Sequence, residues 1–198
     1  MKYTCLLWLI IGLSGCASVP DNSDDICAIF KEKRSWYKAA IKAEKKWGAP
    51  LSVPMAILYQ ESGFRAKARP PMRYALGFIP YGRASSAYGY SQAKTVAWKE
   101  YQREGGSRFA DRDDFGDAMD FVQWYVDKTK RANGVSKWDA YNQYLNYHEG
   151  RGGYARGSYK NKKWLLNVAN KVSRRADRYA QQYRGCKKSL SRSWFKFW

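Results

Sequence analysis

The chain has 198 residues, with 36 Lys or Arg against 17 Asp or Glu, which gives a formal net charge of +19 at pH 7. Such an excess of positive charge indicates an anionic partner, but nucleic acid, acidic polymers and lipid surfaces would all satisfy it. One histidine and four cysteines without a Cys-x-x-Cys pair argue against a metal site, so neither a metal nor another cofactor is predicted.

Residues 1–15 have the pattern of a bacterial export signal. Lys2 precedes an apolar run over residues 5–13, and such a run is too short to cross a bilayer as a mature helix. Small residues stand just before Cys16, as in a lipobox, where the cysteine is lipidated and becomes the first mature residue. An ordinary signal peptide with a chance cysteine is the alternative interpretation.

The composition divides the rest of the chain into a tether, one domain and a tail. Residues 16–25 are predicted to be the lipidated cysteine and a flexible polar tether, and residues 26–185 a single domain. Residues 186–198 form a basic, aromatic tail that could touch a membrane or glycan, or pack on the domain. Ala17, instead of an aspartate, favours the periplasmic side of the outer membrane. Cell-wall polymer and lipid are therefore expected partners of this presumed monomer, and nucleic acid is not.

Helices dominate the predicted secondary structure. Three- and four-residue apolar spacings and helix-stopping residues predict helices over 26–47, 55–62, 92–104, 114–132, 137–147 and 161–184. Ser52 and Ser136 are the predicted N-caps of the second and fifth helices. No stretch alternates apolar and polar residues as a half-buried strand would, so residues 63–88 and 150–157 are predicted to be irregular loops. The predicted fold class is all-α.

Two cysteines lie at opposite ends of the predicted domain. Cys27 and Cys186 form a candidate disulfide in an oxidising compartment, and this bond would tie the first helix to the end of the last. Two separate buried thiols are the alternative.

Glu61 ends an apolar helix beside a loop and an aromatic residue, Phe64. Such a placement removes water from the carboxyl group and raises its pKa, which is what the general acid of a glycosidase needs. Taken alone, a helix-terminal glutamate is more often a solvated surface residue.

Three motifs, in order along the chain, resemble those of the SLT-type lytic transglycosylases. Ala-Ile-Leu-Tyr-Gln-Glu-Ser-Gly-Phe at 56–64 is similar to the family's catalytic helix, which ends in Glu-Ser. Gly-Tyr-Ser-Gln at 89–92 stands where the family has Gly-Leu-Met-Gln, and Leu-Asn-Tyr-His-Glu-Gly at 145–150 stands where it has Ala-Tyr-Asn-Ala-Gly. The resemblance covers roughly residues 45–155, and the long loop after Glu-Ser suggests a lipoprotein branch of the family.

This resemblance implies a lysozyme-like domain with a long loop beside its cleft and an enzyme that cleaves peptidoglycan. Glu61 would protonate the oxygen between N-acetylmuramic acid and N-acetylglucosamine and then act as a base. The C6 hydroxyl of the muramic acid would attack its own anomeric carbon and leave a 1,6-anhydro end. The residues implied to orient Glu61 or the sugar, or to line the cleft, are Ser62, Gln92, Tyr147, Tyr90 and His148.

Two alternatives to a transglycosylase stay open. A hydrolytic muramidase of the same fold needs a second carboxylate across the cleft, for which Glu149, Asp113 and Asp114 are available, although the two aspartates are simpler as N-caps. His148 could also serve as a second acid/base. A glycan-binding scaffold lipoprotein without activity is the other alternative.

Sugar contacts are expected from aromatic and cationic side chains in the loops. The aromatic candidates for the rim of the cleft are Tyr74, Phe78, Tyr81, Tyr88, Tyr90 and Tyr154. The arginines that could meet muramic or peptide carboxylates are Arg83, Arg151 and Arg156.

Overall fold

The structure is a computed structural model in which residues 18–192 are described. The predicted signal, the lipidation of Cys16 and the last six residues of the predicted tail lie outside the described residues. Within the described part, no helix is both long enough and apolar enough to cross a membrane.

Seven helices and one hairpin make up the described chain, which agrees with the predicted α-dominated fold. The helices are α1 (Ile26–Glu32), α2 (Arg34–Trp47), α3 (Ser52–Ser62), α4 (Thr95–Glu104), α5 (Phe115–Asn133), α6 (Ala140–Ala155) and α7 (Lys163–Arg192). The strands are β1 (Met72–Ala75) and β2 (Ile79–Arg83).

The core is one continuous cluster around α5 and α7. Helix α5 packs against α2, α3, α4 and α6, whereas α7 packs against α1, α3 and α6. Trp124 and Phe121 on α5 are fully buried, as are Leu165 and Val172 on α7. Because α3 lies between these two long helices, its polar end is held at a fixed position.

Several predicted helix boundaries are wrong. The predicted helix 26–47 is two helices, because the backbone of Lys33 leaves the helical region at φ −104° and ψ 74°. Ser52 does not cap α3, since a turn over Pro50 and Leu51 already leads into the helix and makes Ser52 its buried first residue. Asp139, not Ser136, caps α6 by accepting a hydrogen bond of 3.0 Å from the Asn142 backbone N–H.

Two helices extend beyond their predicted ends. Helix α6 continues through the predicted glycine-rich loop to Ala155, with one non-helical residue at Gly150 (φ 75°, ψ 156°). Helix α7 reaches Arg192, because Leu190 is buried and Cys186 is joined to α1. The described part of the predicted tail, 186–192, is therefore helix that packs on the domain.

The predicted flexible tether is docked over its second half. Pro20 is buried, Asp24 pairs with Arg175 of α7 at 2.7 Å, and the Tyr179 hydroxyl donates to the Ser23 carbonyl. These contacts fix the chain before α1 begins, so the tether is shorter than its composition suggested.

The predicted disulfide between Cys27 and Cys186 is present. It joins α1 to α7 across a sequence separation of 159 residues. In the chain-entropy model, a loop of this length stabilises the fold by about 4–5 kcal/mol.

A β-hairpin interrupts the stretch that was predicted to be irregular. Strands β1 and β2 are antiparallel, with Met72 opposite Arg83 and Ala75 opposite Ile79, and a bulge lies between Arg73 and Tyr74. Every residue of both strands is exposed. The sequence has no strand-like alternation here because neither face of the hairpin is buried.

Candidate active site

A cleft of about 450 Å³ lies at the end of α3. Its lining includes Glu61 from α3, Gln92 from the loop before α4, and Tyr147, His148 and Glu149 from α6. Four of the six predicted catalytic and substrate-orienting residues are thus brought together, as Glu61, Gln92, Tyr147 and His148.

The end of α3 determines where Glu61 lies. The helix stops at Gly63, which takes the left-handed conformation (φ 58°), and Phe64 follows in the same region (φ 60°). Phe64 is fully buried and packs against Tyr59 and Trp36. This buried ring anchors the turn, and the last turn of the helix presents Glu61 to the cleft.

Burial raises the pKa of the Glu61 carboxyl group to about 7, and a hydrogen bond with Tyr144 opposes part of this shift. A carboxyl group with such a pKa is present in both protonation states near neutral pH. It can therefore give a proton to a leaving oxygen and take one back in a later step.

Tyr144 is a site residue that the sequence interpretation missed. It is buried on α6 and forms a hydrogen bond with Glu61, and burial, followed by the negative charge of Glu61, raises the pKa of the phenol. The phenol therefore stays neutral and donates to the carboxylate. Its position three residues before Tyr147 on one helix places both tyrosines on the same face, and this spacing could have identified it.

Tyr147 lies beside Glu61 but is committed to another partner. Its hydroxyl donates to the Ser91 carbonyl at 2.6 Å, and burial holds its pKa well above the ordinary value. The ring packs against Tyr125 at a centroid distance of 5.0 Å. Because its hydroxyl proton is donated to the Ser91 carbonyl, Tyr147 does not donate to Glu61. The residue forms part of the cleft wall and connects α6 to the loop before α4.

Gln92 holds the loop and leaves one group for a ligand. Its side-chain NH₂ donates to the carbonyls of Ala68 and Gly89, each at 2.9 Å. The remaining polar group is the amide oxygen, so Gln92 offers a sugar an acceptor. Gly89 is required in this loop, because a Cβ there would lie 1.9 Å from the Arg112 carbonyl oxygen.

Two predicted site residues do not line the cleft. Tyr90 is fully buried in the core, where its ring packs edge-on against Trp36 and Phe115, because the turn at Gly89 directs it inward. Ser62 is also buried, and its hydroxyl donates to the Leu58 carbonyl at 3.2 Å. The predicted roles of Tyr90 in lining the cleft and of Ser62 in orienting Glu61 or the sugar are therefore wrong.

Glu149 lines the cleft as an ion-paired carboxylate. Lys162 donates to both of its oxygens at 2.8 Å, Ser158 donates to one, and the His148 ring nitrogen Nδ1 lies 3.0 Å from the other. These hydrogen bonds overcome the effect of burial and lower the pKa of Glu149 to about 2. A carboxylate with this pKa is a weak base, and both of its oxygens are already bonded.

The acidic run before α5 has structural partners. Asp114 caps α5 by accepting from the Asp117 backbone N–H at 2.9 Å, as predicted. Asp113 is not a cap, because it accepts from the Tyr88 hydroxyl at 2.8 Å. Neither aspartate lines the cleft.

The other residues that were predicted to contact sugar lie in different parts of the structure. Tyr74, Phe78 and Tyr81 are exposed on the hairpin, whereas Tyr154 stacks on Tyr159 outside the cleft. Arg151 is paired with Glu100 through two hydrogen bonds of 2.7 and 2.9 Å, so its guanidinium is not available to a substrate carboxylate.

Arg83 and Arg156 also lie outside the lining of the cleft. Arg83 donates to the Pro70 carbonyl at 2.7 Å, and Arg156 lines a separate surface pocket with Tyr154.

An α-helical domain that presents one near-neutral carboxylic acid at a helix end, in a cleft, defines the lysozyme-like class of enzymes that cleave glycosidic bonds. Comparison with family models assigns the chain within this class. The model described as the transglycosylase SLT domain matches residues 4–186, so the chain belongs to that family and is a peptidoglycan lytic transglycosylase. A comparison with curated proteins gives no significant match.

Proposed function

We propose that the enzyme cleaves the β-1,4 bond between N-acetylmuramic acid and N-acetylglucosamine and leaves 1,6-anhydro-N-acetylmuramic acid ends. Glu61 acts as the general acid and then as the general base. The observation that carries this proposal is the carboxyl group of Glu61, whose pKa is raised to about 7 in the cleft.

The reaction has two proton transfers through one residue. Protonated Glu61 gives its proton to the bridging oxygen, the bond to the anomeric carbon breaks, and N-acetylglucosamine leaves with a free hydroxyl group. The Glu61 carboxylate then takes the proton of the C6 hydroxyl as O6 attacks the anomeric carbon. Glu61 ends protonated and no water is consumed. The Tyr144 hydroxyl stabilises the carboxylate between the two transfers.

The state of Glu149 supports this reaction over hydrolysis. A hydrolytic glycosidase of the two-carboxylate type needs a second carboxylate as base or nucleophile. Glu149 lines the same cleft, but its oxygens are bonded to Lys162, Ser158 and His148, and its pKa of about 2 makes it a poor base. A mechanism that uses the substrate's own hydroxyl group does not need this second residue.

The cellular setting belongs to the same proposal. Lipidation at Cys16 would hold the enzyme on the periplasmic face of the outer membrane, as a monomer whose partners are glycan strands and the lipid bilayer rather than nucleic acid. The lipobox-like sequence supports the anchor, and the net charge of +19 suits an anionic wall polymer.

Digestion of purified peptidoglycan by the full chain, with the products identified by mass, tests this function. Anhydro products, which lack one water relative to hydrolytic products, are expected from the wild type and should vanish in Glu61→Gln. Glu44→Gln is the matched control, because burial also raises the pKa of this glutamate but it lies outside the cleft.

Two other results would contradict the proposal. Reducing muramic ends would indicate a muramidase, and peptidoglycan binding without any product would indicate a scaffold.

A further inference from the structure

Exposed apolar side chains are concentrated on the hairpin Met72–Arg83. Of the eleven large apolar side chains that are exposed within residues 18–192, six lie on the hairpin: Met72, Tyr74, Leu76, Phe78, Ile79 and Tyr81. Leu76 is 83% exposed, Phe78 72% and Tyr81 63%. Exposed apolar side chains concentrated in one segment often mark a binding surface, and a two-stranded hairpin alone is only marginally stable in water. The patch therefore has the character of a binding surface.

The hairpin rises from the rim of the catalytic cleft. Pro70, before β1, and Ser85, after β2, both line the cleft that contains Glu61. The Arg83 guanidinium donates to the Pro70 carbonyl at 2.7 Å and closes the base of the hairpin. A polymer that occupies the cleft and continues past this rim would meet the hairpin.

The charge around the hairpin has one sign. Seven Lys or Arg and no Asp or Glu lie between Glu61 and Glu100 in the sequence. On the hairpin itself, Arg73 is exposed, and its guanidinium makes one long hydrogen bond of 3.5 Å, to the Ala84 carbonyl. Aromatic rings beside free guanidinium N–H groups suit a sugar polymer that carries carboxylates.

We propose that the hairpin binds the glycan strand beyond the sugars that contact Glu61. Tyr74, Phe78 and Tyr81 stack on sugar faces, and Arg73 pairs with a carboxylate on the muramic side chain, from either its lactyl group or its stem peptide. The continuity of the hairpin with the cleft favours this occupant over a lipid surface or a second protein. The proposal rests on the proposed function, since it takes the cleft to hold peptidoglycan.

Binding without cleavage isolates the contribution of the aromatic rings. The full chain with Glu61→Gln, kept in detergent, is sedimented with insoluble peptidoglycan, and the dissociation constant is measured. Adding Tyr74→Ala, Phe78→Ala and Tyr81→Ala together is expected to weaken binding about ten-fold. Phe109→Ala with Trp138→Ala is the control, because these rings are at least as exposed as the three on the hairpin but do not line the cleft, and this variant should bind like its parent.

The charged contact has its own control. Arg73→Gln is expected to weaken binding to peptidoglycan about three-fold and to leave binding to neutral chitin unchanged, whereas exposed Arg108→Gln should change neither. Strands stripped of peptide by an amidase separate the two sources of carboxylate. The lactyl carboxyl group is amide-linked to the stem peptide in peptide-bearing strands and becomes a free carboxylate only after amidase treatment. A loss confined to peptide-bearing strands therefore assigns the contact to the stem peptide, and a loss confined to stripped strands assigns it to the lactyl group.

Retention of parental affinity by the triple aromatic variant would overturn the proposal and leave a lipid or protein surface as the cover of the hairpin. Thermal unfolding of this variant should match that of its parent, because the three side chains are exposed. The result is independent of the reaction, since anhydro products from the chain with an intact Glu61 would still support the proposed function. If that chain gave no anhydro product, the proposed function would fail whatever the hairpin does.

Discussion

Two glutamates line one cleft, at the end of α3 and within α6, and their surroundings give them opposite properties. Glu61 has a single hydrogen-bonding tyrosine, and burial raises its pKa to about 7. Glu149 is half-buried, and its hydrogen bonds with Lys162, Ser158 and His148 overcome the effect of burial and lower its pKa to about 2. The degree of burial and the number and charge of the hydrogen-bonding partners together decide which protonation state of each carboxyl group is favoured.

Substitution of Glu61 should lower the reaction rate far more than substitution of Glu149. Glu61→Gln should lower the rate of anhydro-product release by about 10³-fold, since it removes the proton that the leaving group needs. Glu149→Gln should lower the rate by less than about ten-fold, because its role is to pair with Lys162. Equal losses of rate in the two variants, measured on the same peptidoglycan, would show that Glu149 also takes part in the reaction.

Stability should respond to pH in opposite directions at the two sites. The pKa of Glu61 is about 7 in the folded protein and 4.5 in the unfolded chain. Ionisation of Glu61 therefore lowers the stability of the fold as the pH rises from about 4.5 to above 7. Glu61→Gln should therefore raise the free energy of unfolding by about 2–3 kcal/mol at pH 8 and by less than about 1 kcal/mol at pH 5. Urea unfolding at both pH values measures the difference in the free energy of unfolding between the variant and the wild type. A difference that does not grow with pH would contradict the raised pKa of Glu61.

Tyr144 influences the pKa of Glu61 through its hydrogen bond to the carboxylate. Tyr144→Phe removes the donor that stabilises the Glu61 carboxylate, so the pKa of Glu61 rises further and the fall in activity on the alkaline side moves to higher pH. The rate at the optimum should drop about ten-fold, as expected for a lost hydrogen bond to a charged group. The measurement is a full pH–rate profile. A lower rate with an unmoved alkaline limb would mean that Tyr144 has only a packing role.

The smallest expected effect concerns the stability that Glu149 provides. Its lowered pKa means that its ion pair stabilises the fold above about pH 4.5 and that this contribution is lost as pH falls towards 2. Glu149→Gln should lower the free energy of unfolding by about 1 kcal/mol at pH 7, and the difference from wild type should shrink on acidification. A difference that stayed constant down to pH 3 would show that the ion pair is not its source.

The three motifs correctly predicted some of the residues that line the cleft, but not the direction in which neighbouring side chains point. Glu61, Gln92 and Tyr147 lie where the motifs indicated, because a helix end and a tight loop are local features. The side-chain directions of Tyr90 and Ser62 depend on what packs beside them, namely Trp36, Phe115 and the α3 backbone, and the sequence does not reveal these neighbours.

The other differences between the predicted and the observed structure also arise from tertiary contacts or from their absence. The hairpin was not predicted because neither of its faces is buried, so its sequence has no period of two. The extension of α7 follows from the burial of Leu190 against the domain. The state of Glu149 depends on Lys162, which lies 13 residues away and after a turn.

The packing of α3 against α7 makes the order of synthesis matter. The catalytic helix is complete at Ser62, but the helix that supports it begins only at Lys163. Arg175 of that later helix lies over the Tyr59 ring, with its guanidinium carbon 3.4 Å from the ring centroid, two residues before Glu61. A chain that has been synthesised only as far as α6 therefore lacks the helix against which α3 packs. We expect such an incomplete chain to cleave no peptidoglycan until α7 has been made and has folded against α3.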